Sequence, residues 1–401
     1  MIKIAFIKFA GLSAGGTEKF LQTVAANLPR DRFLVDYYYC DTAPFLGLNY
    51  EHAGNDPERL DYMRSHGVNL VKFSVGAVNG RKHTRDWLNT DFWEKFDERN
   101  YNIIQTGRAG FPEYPFNKIK KTPIIDSIHL FAGVDNQFNI SRVMHLSECN
   151  AKKWIRAGGD KTRVVMVSHP MDIPKQKFGD LRARIGLKDK FVYGMHQRAD
   201  DGIFSPIPLE AYKKIENDSN AFIIMGGGEA YRKQAERLQL KNFYFIPHSA
   251  NRGDIYGFLS TLNVYAHGRK DGEINSTAMA EAMSFGLPIV SHFSKINNGH
   301  VQNIAHAGNV VASVDEYSAE LKRLCNDEAY YYFRSQQAKL RFHQKYDLQS
   351  QIQNIVGIYE DVIMKPFPNV WKRRLSQLRL KYILMYSFVR VFNKIKRAAG
   401  V

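Results

Sequence analysis

The chain has 401 residues, 44% of them hydrophobic and 24% charged, which is enough for two ordinary domains with a core each and excludes a single small stapled module. Its three cysteines, Cys40, Cys149 and Cys325, lie far apart with no C-x-x-C pair, so a zinc ribbon and a disulfide framework are excluded and a reducing compartment is implied. Fifty-six Lys plus Arg against forty Asp plus Glu leave a formal charge of +16, which favours anionic partners such as nucleotides, nucleic acid or an acidic membrane surface, and no apolar run is long enough for a membrane-spanning helix.

Residues 1–10 read as a first strand; Lys8 interrupts the short apolar run and no small-residue cleavage site follows, which argues against a signal peptide. A loop with Gly11, Gly15 and Gly16 comes next, then a helix over 17–28 whose Phe20, Leu21, Val24, Ala25 and Leu28 fall at helical spacing. Strand-like runs follow at 34–39, 69–73, 102–105, 124–128 and 143–146, separated by helix-length mixtures, a rhythm that predicts a parallel sheet with crossover helices. The stretch 164–174 ends this half, and the charged segment 175–190 reads as the passage to a second domain, with the boundary near 185. From Phe191 the pattern restarts with strands at 191–195, 221–225, 243–246, 262–266 and 287–290, a glycine triplet at 226–228 and a helix over 276–285.

The fold expected is α/β, two Rossmann-like domains over 1–185 and 186–346, followed by a helix within 347–364 and a tail over 365–401. That tail holds ten Lys and Arg and no acid, with Leu375, Leu378, Tyr382, Met385, Phe388, Val389 and Phe392 forming an i, i+3, i+4 stripe, the pattern of a basic amphipathic helix. Such a helix either lies on an anionic membrane surface or packs on the protein with its cations in water.

The segment 271–290, DGEINSTAMAEAMSFGLPIV, carries the most chemistry. Glu273 stands in a polar loop, Ser276 or Thr277 is placed to cap the next helix, and Glu281 lies eight residues after the first acid, within that helix. Unpaired N–H groups and the positive dipole end suit a phosphate lying across Ile274, Asn275, Ser276 and Thr277. The blander alternative is a solvated loop acid and an exposed helix acid. Ala280, Ala282 and Met283 around Glu281, and the return at 285–290 to a buried-looking strand, argue instead for a packed helix.

This run resembles, almost position for position, the Glu-x7-Glu signature and the following E-A-M-x-x-G-x-P-[IV]-V of the retaining, nucleotide-sugar-dependent glycosyltransferases of family 4, which have the GT-B fold. The resemblance implies that Glu273 contacts hydroxyls of the transferred sugar, that Glu281 binds the nucleotide ribose, and that residues 274–277 offer N–H groups to sugar and diphosphate. Further stretches extend it over about the first 360 residues: Gly15 and Gly16 in the loop where acceptor and diphosphate approach, His129 facing the cleft, the 165–172 run VMVSHPMD, and Gly227 in the turn MGGGE. Taken alone, the glycine triplet at 226–228 is also what a tight turn needs, and His129 is also what a core histidine bonded to a carbonyl looks like.

Arg198 matches an arginine that reaches the leaving diphosphate, but the family pattern has a lysine about five residues on, whereas 199–204, ADDGIF, has none and adds Asp200 and Asp201. A lost cation at a developing diphosphate costs on the order of a hundredfold in rate; two alternatives follow, that Arg269 or Lys270, just before Glu273, substitutes for it, or that activity is low. The resemblance further implies transfer of a hexosyl-type sugar from a nucleotide-diphosphate donor to a glycan or lipid-linked hydroxyl in polysaccharide, lipopolysaccharide or glycoconjugate synthesis, with closure of the two domains on the donor and the helix after Asp347 crossing back to the first. Glu273, Arg198 and His129 are the catalytic candidates. No D-x-D triplet occurs, so neither a metal nor any cofactor beyond the donor is expected; a cytoplasmic enzyme, peripheral on the membrane through 365–401, is the matching location. The competing readings are a nucleotide-sugar epimerase of the same fold, a binding protein that has lost catalysis, and, last, a nucleic-acid binder, for which no recognition motif accompanies the basic tail.

Overall fold

The computed structural model describes residues 1–8, 12, 15–40, 56–74, 90–129, 133–171, 178–179, 181–249 and 251–367. The amphipathic stripe of the tail, most of the loop 9–14 and Asp172 lie outside these residues.

Seven parallel strands form the first sheet: β1 (Ile2–Lys8), β2 (Phe33–Cys40), β3 (Asn69–Phe73), β4 (Ile103–Arg108), β5 (Ile124–Ile128), β6 (Ile140–His145) and β7 (Val164–Met166), in the order β3-β2-β1-β4-β5-β6-β7. The second sheet repeats the plan with β8 (Phe191–Gln197), β9 (Asn220–Gly226), β10 (Phe243–Ile246), β11 (Val264–Ala266), β13 (Ile289–His292) and β15 (Gly308–Val311), in the order β10-β9-β8-β11-β13-β15. A two-strand ribbon pairs β12 (Gly272–Glu273) with β14 (Asn297–Asn298). The strand order reverses between β1 and β4 and again between β8 and β11. In open α/β sheets the crevice beyond the strand ends at such a reversal is where ligands bind.

Helices cover both faces of each sheet, so central strands are buried along their length: β4, β5, β6 and β9 are buried throughout, although β4, β5 and β6 carry polar side chains such as Gln105, Arg108, Asp126 and Arg142 into the interior. The helix Gly16–Asn27 packs Phe20, Leu21, Val24 and Ala25 into the first core and stops where Leu28, preceding Pro29, turns extended. The helix Thr277–Ser284 starts at Ser276, whose hydroxyl accepts from Met279 N at 3.2 Å, and packs Met279, Ala280, Ala282 and Met283 into the second core. It ends in a Schellman turn: Gly286 N donates to Met283 O at 2.9 Å and Leu287 N to Ala282 O at 3.2 Å. Gly286 has a φ of +71°, which only glycine adopts without strain.

Within the charged passage 175–190, Phe178, Leu181 and Ile185 pack on the second core. At the far end the helix Leu348–Met364 returns, adding Ile352, Ile355, Val356, Tyr359 and Val362 to the first core. The two crossings run side by side, with Met171 N donating to Tyr346 O at 2.8 Å.

Candidate active site

The reversal point of the second sheet gathers most of the residues singled out from the sequence. β8 ends in His196 and Gln197 and leads to Arg198; its neighbour β11 leads to His267, Arg269 and Glu273. Each acid of the Glu-x7-Glu pair has a histidine at hand. His196 Nε2 lies 3.0 Å from Glu281 Oε2, and His267 Nε2 lies 3.6 Å from Glu273 Oε1. Tyr265 stands between the two pairs, its ring 5.7 Å from that of His196 and 6.3 Å from that of His267, with its hydroxyl donating to His196 O at 3.1 Å.

The two carboxylates are driven apart electrostatically. Glu281, with a side chain 16% exposed, is raised by burial, but the hydrogen bond and charge of His196, then Lys19 and Arg252, outweigh this and hold it below the usual carboxylate range. Glu273 is raised by burial; Arg269 opposes this and Asp271 adds to it, so its net direction is upward. Neither acid is a solvated surface group. Arg269 is gripped by Asp271 at 2.9 and 2.7 Å and reaches Glu273 Oε1 at 3.3 Å with its remaining terminal nitrogen.

Glu273 is fixed by the short ribbon. Gly272 has a φ of +64°, and a Cβ there would stand 1.9 Å from Asn297 O, so the backbone approaches β14 as closely as glycine allows. The segment that follows lies against Gly299, where a Cβ would meet Ile274 O at 2.2 Å. Asn275 Oδ1 accepts from Asn303 Nδ2 at 3.2 Å, while its own buried Nδ2 has no partner among the described residues. Ser276 is spent on the helix cap, and Thr277 lines a pocket with Glu281. Ile274, Asn275 and Ser276 thus lead into a helix that starts at Thr277, where the Met279 N–H is taken by the Ser276 hydroxyl and the N-terminal end of the helix offers its positive pole to an anion.

The remaining residues fall into different settings. Arg198 is 63% exposed and pairs with Asp200 at 2.8 Å rather than with either glutamate. Ile203, the fifth residue after it, is buried, and its carbonyl accepts from Lys270 N at 3.1 Å, so the Lys270 backbone adjoins the place where the family pattern has its lysine. The glycine triplet has an internal reason: Gly226, Gly227 and Gly228 all have φ between +74° and +83°. Cβ atoms at Gly226 and Gly228 would strike Gln197 O at 2.1 Å and Asp201 Oδ1 at 2.2 Å. Asp201 also accepts from Ala230 N at 2.8 Å, so a carboxylate of the chain itself sits on the start of the helix Glu229–Arg237.

In the first domain Gly15 caps the helix Gly16–Asn27 in an extended conformation, and a Cβ at Gly16 would meet nothing within 4 Å. Nothing among the described residues demands glycine at Gly16, and the space above it is open. His129 follows β5; its ring lies 5.0 Å from that of Phe20 and 5.3 Å from that of His169, and its buried Nε2 has no partner among the described residues. Burial, then His169 and Lys8, keep it neutral, well below the usual histidine range. It is therefore not a core histidine bonded to a carbonyl through Nε2. His196, His267, His169, Lys19 and Arg252 were not singled out by role from the sequence. The partner of His196 lies 85 residues away, whereas His267 stands only six residues before Glu273 without any spacing rule that marks it, and the one local signal is that His196 alternates with Arg198 at a strand end.

With this geometry in place, comparison with known proteins bears directly on the second domain. Residues 207–341 match the model of the family glycosyl transferases group 1. The group 1 region contains Gly227, Glu273, Ser276 and Glu281 and begins after Arg198. By sequence the chain matches no curated protein. Among solved structures it is similar to HepE of Anabaena in complex with UDP and glucose, at 18% identity over 90% of this chain and 100% of that one, with a TM-score of 0.66. It is also similar to a glycosyltransferase of Rickettsia africae, at 11% identity over 91% and 99% and a TM-score of 0.69. A TarM mutant of S. aureus in complex with fondaparinux, alpha-GlcNAc-glycerol and UDP matches at 12% identity over 90% and 100%, with a TM-score of 0.64. These likenesses establish the fold as GT-B, two Rossmann-like domains, for the group 1 region and the domain before it.

Proposed function

We propose that the protein is a retaining glycosyltransferase, moving a hexosyl-type sugar from a nucleotide-diphosphate donor to a hydroxyl of a glycan or lipid-linked acceptor, with no metal and no cofactor beyond the donor. The observation that carries this reading is the arrangement of Glu281–His196 and Glu273–Arg269 where β8 and β11 end, against the open helix start at 274–277.

In such a transfer positive charge grows on the sugar while the departing diphosphate gains negative charge. Glu281, held ionised, suits the donor ribose hydroxyls. Glu273, backed by Arg269 and His267, suits hydroxyls of the transferred sugar. The helix start, Arg269, Arg198 and the open backbone at Gly16 suit the diphosphate. HepE and TarM each have a UDP complex, which makes UDP the first nucleotide to try. The charge of 365–401 supports an acceptor at the inner face of a membrane, to be tested by liposome sedimentation with and without 366–401.

The test is a thermal-shift titration of wild type and Glu281→Ala with UDP, GDP, ADP, CMP and their common sugars, since a ligand at a hundred times its dissociation constant stabilises by roughly 2.7 kcal/mol. One nucleotide should raise the wild-type melting temperature and the variant's less; a flat response to all of them overturns the reading. Product anomeric configuration and activity retained in EDTA test retention and metal independence. A second reading, a donor-binding protein with weakened catalysis, is favoured by Ile203 in place of a cation and by Arg198 engaged with Asp200. Nucleotide binding without turnover on any acceptor would select it, and donor consumption without acceptor would select an epimerase.

A further inference from the structure

A cavity of about 160 Å³ opens beside Glu281, and neither Arg198 nor Arg269 lines it. Its walls come from the helices Gly16–Asn27 and Pro57–Ser65 of the first domain, from His169 to Met171 at the first crossing, and from Arg252 and the helix Thr277–Ser284 of the second. Three cations line it, Lys19, Arg59 and Arg252, against a single carboxylate, Glu281, which leaves two positive charges in excess.

These cations are poorly compensated. Lys19 and Arg59 make no side-chain hydrogen bond or ion pair among the described residues. Arg252 bonds a neutral partner, the Tyr256 hydroxyl at 2.8 Å. Glu281 already engages His196. Asp56, which also acts on Lys19 and Arg59, is occupied in capping its own helix through Glu58 N at 3.0 Å. Burial lowers the Lys19 ammonium, and although Glu281 and Asp56 oppose this, Arg59 and Arg252 add to it, leaving the net direction downward. Burial likewise lowers Arg59, with Arg252 adding to it. Three cations held together in a cavity without matching acids form a site for a compact anion of two charges.

We propose that this cavity binds a phosphate group, as inorganic phosphate or a sugar phosphate monoester, on the cations Lys19, Arg59 and Arg252, beside the proposed donor site with which it shares Glu281 and Thr277. Lys19 and Arg59 approach it from one domain and Arg252 from the other, so the bound anion joins the two halves of the cleft. The inference stands on the cavity and its cations and does not require glycosyl transfer.

The experiment is isothermal titration at low ionic strength of the full chain with inorganic phosphate, glucose 6-phosphate and UDP, using wild type, Arg59→Gln, Lys19→Gln and, as control, the exposed Arg156→Gln. Wild type should bind at least one of the two phosphate probes saturably. Arg59→Gln and Lys19→Gln should each weaken that binding roughly tenfold or more, the loss of one charge-assisted bond, while Arg156→Gln changes nothing and UDP binding stays within about twofold in Arg59→Gln, which does not act on Glu281. A preference for glucose 6-phosphate identifies an ester as the source, and equal or better binding of inorganic phosphate identifies the free ion. No saturable binding of either probe, binding unchanged in both pocket variants, or a parallel loss of UDP in Arg59→Gln overturns the proposal, the last by returning these cations to the donor site.

Discussion

Arg198 is held by Asp200, and breaking that hold has a calculable effect. The pair is 2.8 Å long, with side chains 63% and 37% exposed, so solvent screens it and its worth is that of a surface ion pair, about 0.2–1 kcal/mol. A donor diphosphate that recruits Arg198 must displace Asp200. Asp200→Asn removes the competing charge but keeps the side-chain oxygen that accepts from Gly202 N at 2.9 Å, since asparagine caps as well as aspartate. UDP should then bind about 1.4- to 5-fold more tightly. Arg198→Gln should weaken UDP by roughly ten- to a hundredfold, the loss of a charged hydrogen bond. Adding Asp200→Asn to Arg198→Gln should change nothing further. Titration calorimetry of the four proteins closes the cycle, and the gain from Asp200→Asn should shrink as salt rises. Weaker binding in Asp200→Asn, or the same gain without Arg198, would show that Asp200 does not act through the arginine.

Four other outcomes follow from the geometry. Gly16→Ala should leave the melting temperature unchanged, because a Cβ there meets nothing within 4 Å, while reducing UDP affinity; an unaltered affinity would place the diphosphate elsewhere. Gly228→Ala forces a side chain to a φ of +81° with Asp201 Oδ1 at 2.2 Å and should cost about 1–3 kcal/mol in denaturant unfolding. Arg108 is buried between Asp126 at 3.0 Å and Asp135 at 3.1 Å; Arg108→Leu leaves both carboxylates unpaired and should cost about 3–5 kcal/mol in the unfolding of the first domain. Stability should fall in acid: burial holds His145, His169 and His300 down at about 4 and therefore neutral in the fold, whereas the unfolded chain protonates them near 6.5. The unfolded state binds the extra protons, so stability is full above about pH 6.5 and is lost as pH falls toward about 4, on the order of 3 kcal/mol for each such group. A melting temperature flat across that window would refute it.

Much of this architecture is legible in the sequence because its signals are local. The alternation of apolar runs with helical patterns marks the two sheets, and S-T before an apolar helical run marks the cap, which the structure assigns to Ser276. The glutamate spacing marks two acids that the structure brings to the ends of β8 and β11, each beside a histidine. What escapes is set by contacts between distant residues. β12 and β14 have two residues each and exist only because Gly272 lets Asn297 come close. β15, GNVV, is too short and too polar at its start to stand out. The histidine partners of the two glutamates lie 85 residues from Glu281 and just past the strand before Glu273. Asp201 resting on Gly228 joins two separate loops, and no spacing rule announces it.

The side-by-side crossings at Met171 and Tyr346 have a consequence for synthesis. The first domain is discontinuous: residues up to Val167 supply most of its core, but Ile352, Ile355, Val356, Tyr359 and Val362 complete it. A ribosome delivers the whole second domain before that helix, so the half translated first is finished last. Until then its apolar face is exposed, and a chain cut short ahead of Leu348 leaves the ribosome with one sealed domain and one that chaperones must shield.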